Sequence, residues 1–350
     1  MAKYQHQNLQ QLALELLMKA GLGETQASDT AQTLVEADLM GHETHGLALL
    51  PAYIESALDS GMLLSGKAQT LRDTGSSIAW DGRYLPGPWL VHNAIDLALE
   101  RVRQYPVVTM TIQKSHHIGC LAAYPEKVTE KGCMFLLSCS DPVNATVAPF
   151  GGLEGVYSPN PLAIGIPTEG EPIIIDISMS TTANGMINQS LAQGKKLPHP
   201  WLQDNKGVVT NDPATFKEDP PSTILPLGGQ DAGYKGFGLG LLIEMLTSGL
   251  AGYGRADKPD KWGASVFLQV IDPDGFGGIE AFQKQAQFLA KTCLSSRPID
   301  PDKPVRLPGS RAIQLRRQQK EEGVALNPAI IDSVKSCSAK LGVPIPTWLA

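Results

Sequence analysis

Near residue 70 the spacing of apolar side chains changes character, and that switch constrains the fold more than any other feature of the chain. Before it, leucines at 9, 12, 16 and 17 fall on one helical face, and a second helical window covers residues 25–40. A third, over about 47–58, puts Leu49, Leu50, Tyr53, Ile54 and Ala57 at helical spacing. Gly21 and Gly23 punctuate the gap between the first two. After it, short apolar or β-branched runs at 107–112, 134–137, 173–175 and 265–272 read as strands. They alternate with helical stretches at 89–103, about 120–130, 237–250 and about 279–293. Beyond a Pro/Asp cluster at 297–304 the chain turns helical again, at about 310–323 and 328–341, and this tail is expected to pack onto the N-terminal helices. Residues 197–229, rich in Pro, Gly, Asp and Asn, read as a long irregular surface segment rather than a core element. The expected class is α/β, with residues 1–70 and 305–350 forming a helical domain and 71–304 an α/β domain.

Composition removes several function classes. A net charge of −6 gives no basic surface for nucleic acid. The longest apolar stretch, 237–250, is too short to cross a bilayer and carries Glu244. The polar N-terminus lacks the apolar core of a secretory signal, so a cytoplasmic protein is expected. Five scattered cysteines with no C-x-x-C pair suggest neither a disulfide framework nor a metal site.

Chemistry is concentrated in a few segments. Of the seven histidines, His6, His92 and His199 stand alone, whereas His42 with His45 and His116 with His117 form two clusters. His45 lies between Thr44, which can hydrogen-bond an imidazole nitrogen, and Gly46, which lets a ligand come close. That grouping suits a proton donor, and spacing alone is equally consistent with a helix cap. The segment 115–119, Ser-His-His-Ile-Gly, leaves a strand and enters a helix, where open α/β sheets place ligands. Asp176 ends an apolar strand, with Ser178 and Ser180 read as the start of a helix that holds a phosphate or ribose, or simply caps it. Residues 233–240 open a helix with four glycines and Lys235, a point charge for a phosphate or carboxylate. Together these specify a catalytic protein with a histidine acid/base and an anion site, without naming the reaction.

Seven segments in order resemble the malate/L-lactate dehydrogenases that lack a Rossmann fold: 41–46 with Pro51 and Tyr53, 115–119, 147–152, Asn160-Pro161, 176–180, Lys235-Gly236, and Leu307-Pro308-Gly309. The resemblance implies a non-Rossmann mixed-sheet cofactor domain flanked by helices, beside a helical domain from both chain termini, in a homodimer. It implies hydride transfer between NAD or NADP, with NAD slightly favoured, and a small 2-hydroxy acid. His45 is then the acid/base, oriented by Thr44, and His117 a second polar group at the substrate. Tyr53 and Leu49 fall at substrate positions. Asp176, Ser178, Ser180, Lys235, Pro308 and Gly309 fall at cofactor positions, with no metal implied.

Three positions depart from the pattern. Many members carry an arginine, a carboxylate clamp, where this chain has Leu49. Pro159 interrupts the usual G-T-N-P, and Met186 stands where cyclic-imine reductases have an aspartate. Met186 counts against cyclic-imine reduction, which stands as an alternative beside reduction of a sugar-derived 2-oxo acid; from other classes come a pyridoxal-phosphate enzyme using Lys235 with its glycine-rich loop, and a non-catalytic member.

Overall fold

The computed structural model describes residues 2–349. Helices are α1 (His6–Lys19), α2 (Glu24–Leu39), α3 (Leu50–Leu58), α4 (Gly87–Arg101), α5 (Pro125–Thr129), α6 (Asn184–Ala192), α7 (Gly229–Glu244), α8 (Ile279–Leu294), α9 (Ser310–Glu322) and α10 (Pro328–Leu341). The main sheet has seven strands, numbered here β1 (Gln69–Asp73), β2 (Ser77–Asp81), β3 (Val107–Ser115), β4 (Met134–Ser140), β5 (Leu162–Ile166), β6 (Ile173–Ile177) and β7 (Ala264–Ile271). Their order is β1-β2-β3-β7-β4-β5-β6. Only β2 and β3, joined through α4, run parallel; every other neighbouring pair is antiparallel. A dinucleotide crevice of the doubly wound kind needs successive parallel strands at a topological switch, and this sheet has no such place.

Leucines of α1 and α2 bury together with Leu50, Tyr53 and Ile54 of α3 and Ile330, Ile331 and Val334 of α10, so both chain ends share one core. A second core lies between the sheet and α4, around Ile95, Met110, Ile112, Phe135 and Leu268. Arg316 of α9 joins the two parts: it forms ion pairs with Glu36 of α2, at 2.8 Å, and with Glu126 of α5. Gln319 of the same helix donates from Nε2 to the carbonyls of Asp38 and Leu39, at 3.0 Å each. These bonds tie α9 to carbonyls in the last turn of α2, where intrahelical donors run out.

Three expectations are corrected. Residues 197–229 are not merely irregular surface: they form a three-stranded sheet (Leu202–Gln203, Val209–Thr210, Thr223–Ile224). Leu197, Leu202 and Ile224 are buried with Val147, Tyr157 and Ile187 in a core of their own. The turn-forming residues punctuate short strands whose few apolar side chains still find a common centre. Ser178 and Ser180 do not start a helix either, since α6 begins only at Asn184. The predicted helix at 120–130 is a short 3₁₀ turn (Leu121–Ala123) followed by α5, because Pro125 favours a helix's first turn and not its interior.

Candidate active site

The turn between α2 and α3 is built on a buried acid. Asp38 lies on the apolar face of α2, in register with Ala31, Leu34 and Val35, and is 2% exposed. Its Oδ2 accepts the Leu47 N–H at 2.8 Å, so the carboxyl group lies directly under the chain at Gly46. A Cβ at Gly46 would come within 2.1 Å of Asp38 Oδ1, and no other residue fits there. Burial raises the Asp38 pKa to about 8.

On this support the Glu43–His45 turn presents its side chains. Thr44 Oγ1 lies 2.9 Å from His45 Nδ1. Gly185 of α6 packs against Thr44, where a Cβ would meet the threonine Cβ at 3.0 Å. The His45 ring faces that of His117, near-parallel at 25° with centroids 6.2 Å apart. Burial depresses the His45 pKa to about 4, with repulsion from His42 adding to it. His117 is held well below the ordinary imidazole value by burial first, then by His45 and His116.

His117 has a defined tautomer. The Gly119 N–H donates to Nδ1 at 3.2 Å, so Nδ1 carries the lone pair and Nε2 carries the proton. Tyr53, fully buried in α3, donates from its hydroxyl to the His117 carbonyl at 2.8 Å, and the same oxygen is 2.9 Å from Nδ1. Trp262 completes the wall, stacked on His117 at 4.8 Å and 27° and meeting the edges of His116 and Tyr53. Gly263 permits this, because a Cβ there would lie 2.6 Å from the Ser115 carbonyl. His116 is fully buried and neither ring nitrogen has a partner among the described residues.

Beside this group, and sharing the same turn through His42, is a cavity of about 580 Å³. That size is ordinary for a small-molecule or cofactor site. Asp176, Pro308 and Gly309 line it, as do Arg306 and Arg311, neither of which has an ion-pair partner among the described residues. Gly309 has φ +81° and sits so close to β6 that a Cβ would be 2.6 Å from the Ile174 carbonyl. Asp176 Oδ2 accepts the Ala122 N–H at 3.0 Å, and burial raises its pKa. Ser178 is half-buried and donates to the Ser180 carbonyl, whereas Ser180 is buried and donates to Thr182. The glycine-rich start of α7 adjoins this segment: Gly236 N–H donates to Leu227 O, and Leu227 N–H to Met179 O. Lys235 itself is exposed and lies 5.8 Å over the Tyr234 ring.

The structure thus brings His45, Thr44, His117 and Tyr53 into one group, and Asp176, Pro308 and Gly309 into an adjoining one. Leu49 instead packs against the helical core. Pro159 uses its carbonyl to accept the Met179 N–H at 2.9 Å, and Met186 is exposed on α6. Asp38, Trp262, Arg306 and Arg311 escaped the sequence reading. Asp38 alone had a legible signal, an acid on the apolar face of an amphipathic helix; the others are isolated residues in loop sequence.

A family model described as malate/L-lactate dehydrogenase matches residues 4–335. The chain is 26% identical to hydroxycarboxylate dehydrogenase B of Escherichia coli (strain K12), over 99% of this chain and 97% of that protein. It is 29% identical to a (2R)-3-sulfolactate dehydrogenase (NADP(+)) of Chromohalobacter salexigens, over 93% and 95%. Its fold matches the crystal structure of malate dehydrogenase from Entamoeba histolytica with a TM-score of 0.92 at 23% identity, covering 99% of both chains. The chain belongs to the malate/L-lactate dehydrogenase family.

Proposed function

We propose that this protein transfers hydride between a nicotinamide dinucleotide and C2 of a small 2-hydroxy or 2-oxo acid of the malate or lactate type, with His45 as acid/base. The observation that carries this reading is the pair of facing imidazoles, His45 and His117, each tied at Nδ1 so that its Nε2 is left for a substrate. In the tautomer that donates from Nδ1 to Thr44 Oγ1, His45 keeps a lone pair on Nε2. His117, with Nδ1 accepting from Gly119, offers an N–H at Nε2. One ring can therefore take the hydroxyl proton while the other donates a hydrogen bond to the same substrate.

Removing the alcohol proton as hydride departs avoids a protonated carbonyl, so one positioned base is the least the reaction requires. In the reverse direction the protonated His45 returns that proton to the forming alkoxide. Thr44 fixes the ring's orientation, and Tyr53 and Trp262 fix that of His117. Leu49, packed on the helical core, supplies no cation, so recognition of the substrate carboxylate must come from other groups.

The residues around the cavity fit a dinucleotide. Gly309 lets the Pro308-Gly309 turn lie close against β6 as one wall of the cavity, and Arg306 and Arg311 carry charge suited to its phosphates. Asp176 would face it, whereas Ser178, Ser180 and Lys235 do not line the cavity and would reach a dinucleotide only beyond it. When bound, the nicotinamide ring supplies the hydride acceptor or donor. The two arginines suit NADP as well as NAD. In this reading residues 1–70 with 305–350 are a helical domain that carries the acid/base turn, residues 71–304 bind the cofactor, and two chains pair. Five free cysteines fit a reducing compartment such as the cytoplasm.

The test is a thermal-shift comparison of NADH and NADPH, followed by a panel of 2-oxo acids read through the absorbance of the reduced nicotinamide ring. Turnover of at least one small 2-oxo acid is expected. His45→Ala should lower kcat on that substrate by about 10²- to 10⁴-fold. Full activity of His45→Ala on an accepted substrate would defeat the assignment.

A further inference from the structure

Three side chains from distant parts of the chain converge beside the cavity. His42 opens the acid/base turn, Cys120 follows β3, and Asp176 lies in β6. One ligand-type atom of each, an imidazole nitrogen, the thiol sulfur and a carboxylate oxygen, lies within 4.8 Å of the other two. His42 and Asp176 line the cavity, while Cys120 is 3% exposed behind them with Sγ 4.0 Å from Asp176 Oδ2. The Ala122 N–H bond orients that carboxylate. Among the described residues the His42 ring makes no side-chain hydrogen bond, so it is available to another partner.

We propose that His42, Cys120 and Asp176 form a binding site for a borderline-soft divalent cation of the zinc class, with water from the cavity as fourth ligand. A thiolate, an imidazole and a carboxylate together favour zinc or cobalt over magnesium or calcium, which take oxygen ligands. Tetrahedral bonds of about 2.0–2.3 Å separate neighbouring ligand atoms by about 3.3–3.8 Å, so the cluster closes by at most about 1.5 Å. The cation replaces the thiol proton, which leaves to water, and the two anionic ligands then balance its charge. The sequence conceals the site because each ligand comes from a separate segment and no two share a local spacing.

A consequence follows that rests on the function proposed above. The cation would take up two residues of the wall assigned to the dinucleotide, so cation and dinucleotide should exclude each other. The cation is then an inhibitor of the enzyme and not part of its chemistry.

Titration of the full-length, metal-free protein with Co²⁺ tests the site. One equivalent should bind with a near-ultraviolet thiolate-to-cobalt band and the intense visible absorption of tetrahedral coordination. Cys120→Ser should lose the near-ultraviolet band, and His42→Gln should bind Co²⁺ at least about tenfold more weakly. No thiolate band in the unsubstituted protein, or a band that survives Cys120→Ser, overturns the site. So does undiminished Co²⁺ binding by a folded His42→Gln protein, an arm that does not depend on the core position. For the exclusion, the apparent Kd for NADH or NADPH should rise with added Zn²⁺. If it stays constant in protein that shows the cobalt band, the exclusion is wrong. If neither dinucleotide binds the metal-free protein, the proposed function is wrong while the cation site stands.

Discussion

Burial depresses the His45 pKa from the ordinary 6.5 to about 4, so the ring is a neutral imidazole near neutral pH. As the base in the proposed hydroxy-acid oxidation it would have to be unprotonated, a condition that holds at any pH well above 4. The kcat/KM for oxidation should therefore stay level as pH falls past 6.5 and decline only towards 4. A pH–rate profile checks this, and an acid limb centred near 6.5 would contradict it. Asp38 carries the opposite linkage. With its folded pKa raised to about 8, the folded state holds a proton that the unfolded state has released above about 3.8. The stability associated with Asp38 is thus present at low pH and lost as pH rises towards 8. Asp38→Asn keeps the shape without the titration, so stability should fall less between pH 6.5 and 8, by about 2 kcal/mol for one proton. Urea unfolding of both proteins at the two pH values measures the difference.

At the scale of elements, α7 shows how one residue type serves opposite ends on one helix. Gly236 lies against the loop that positions Met179, where a Cβ would sit 2.3 Å from Leu227 N and 2.4 Å from its carbonyl oxygen. Gly238, two positions on, is exposed with nothing within 4 Å of its would-be Cβ. Gly236→Ala should cost about 1–3 kcal/mol through overpacking and loosen the 176–180 segment. Gly238→Ala should gain about 0.5–1 kcal/mol from helix propensity in the unpaired chain. Chemical denaturation of the pair gives the comparison, and equal effects from both would remove the packing argument. The helix ends in a π-helical turn, Met245–Gly249, where Thr247 is fully buried against the hydroxyl of Ser140 at 2.8 Å.

The whole molecule leaves a row of large apolar side chains uncovered on α7 and its continuation. Leu241, Leu242, Met245 and Leu250 are each between 46% and 61% exposed. No helix of the described residues is long and apolar enough to cross a membrane, and a monomer rarely exposes such a contiguous face. This row supports the proposed pairing of two chains through α7, the helix that also carries Lys235. Met245→Glu should convert a dimer to a monomer in sedimentation or light scattering at micromolar concentration. A monomeric unsubstituted protein would refute the pairing.

Local pattern and elementary physics determined much on their own. The switch of periodicity near residue 70 anticipated a helical part from both chain ends and an α/β part between them, because burying one face of each element forces a matching repeat. Dense short motifs such as 41–46 and 115–119 marked residues that the fold brings face to face, His45 and His117. Tertiary structure decided the rest. Only the closed fold put Trp262 over His117 and Tyr53 against its carbonyl, set Arg306 and Arg311 on one cavity with Asp176, and gathered His42, Cys120 and Asp176. It also turned residues 197–229 into a small sheet with its own core. The physical reason is the same in each case: these contacts join residues far apart in the chain. Periodicity reports which face an element buries, whereas packing and desolvation decide which residues share that burial.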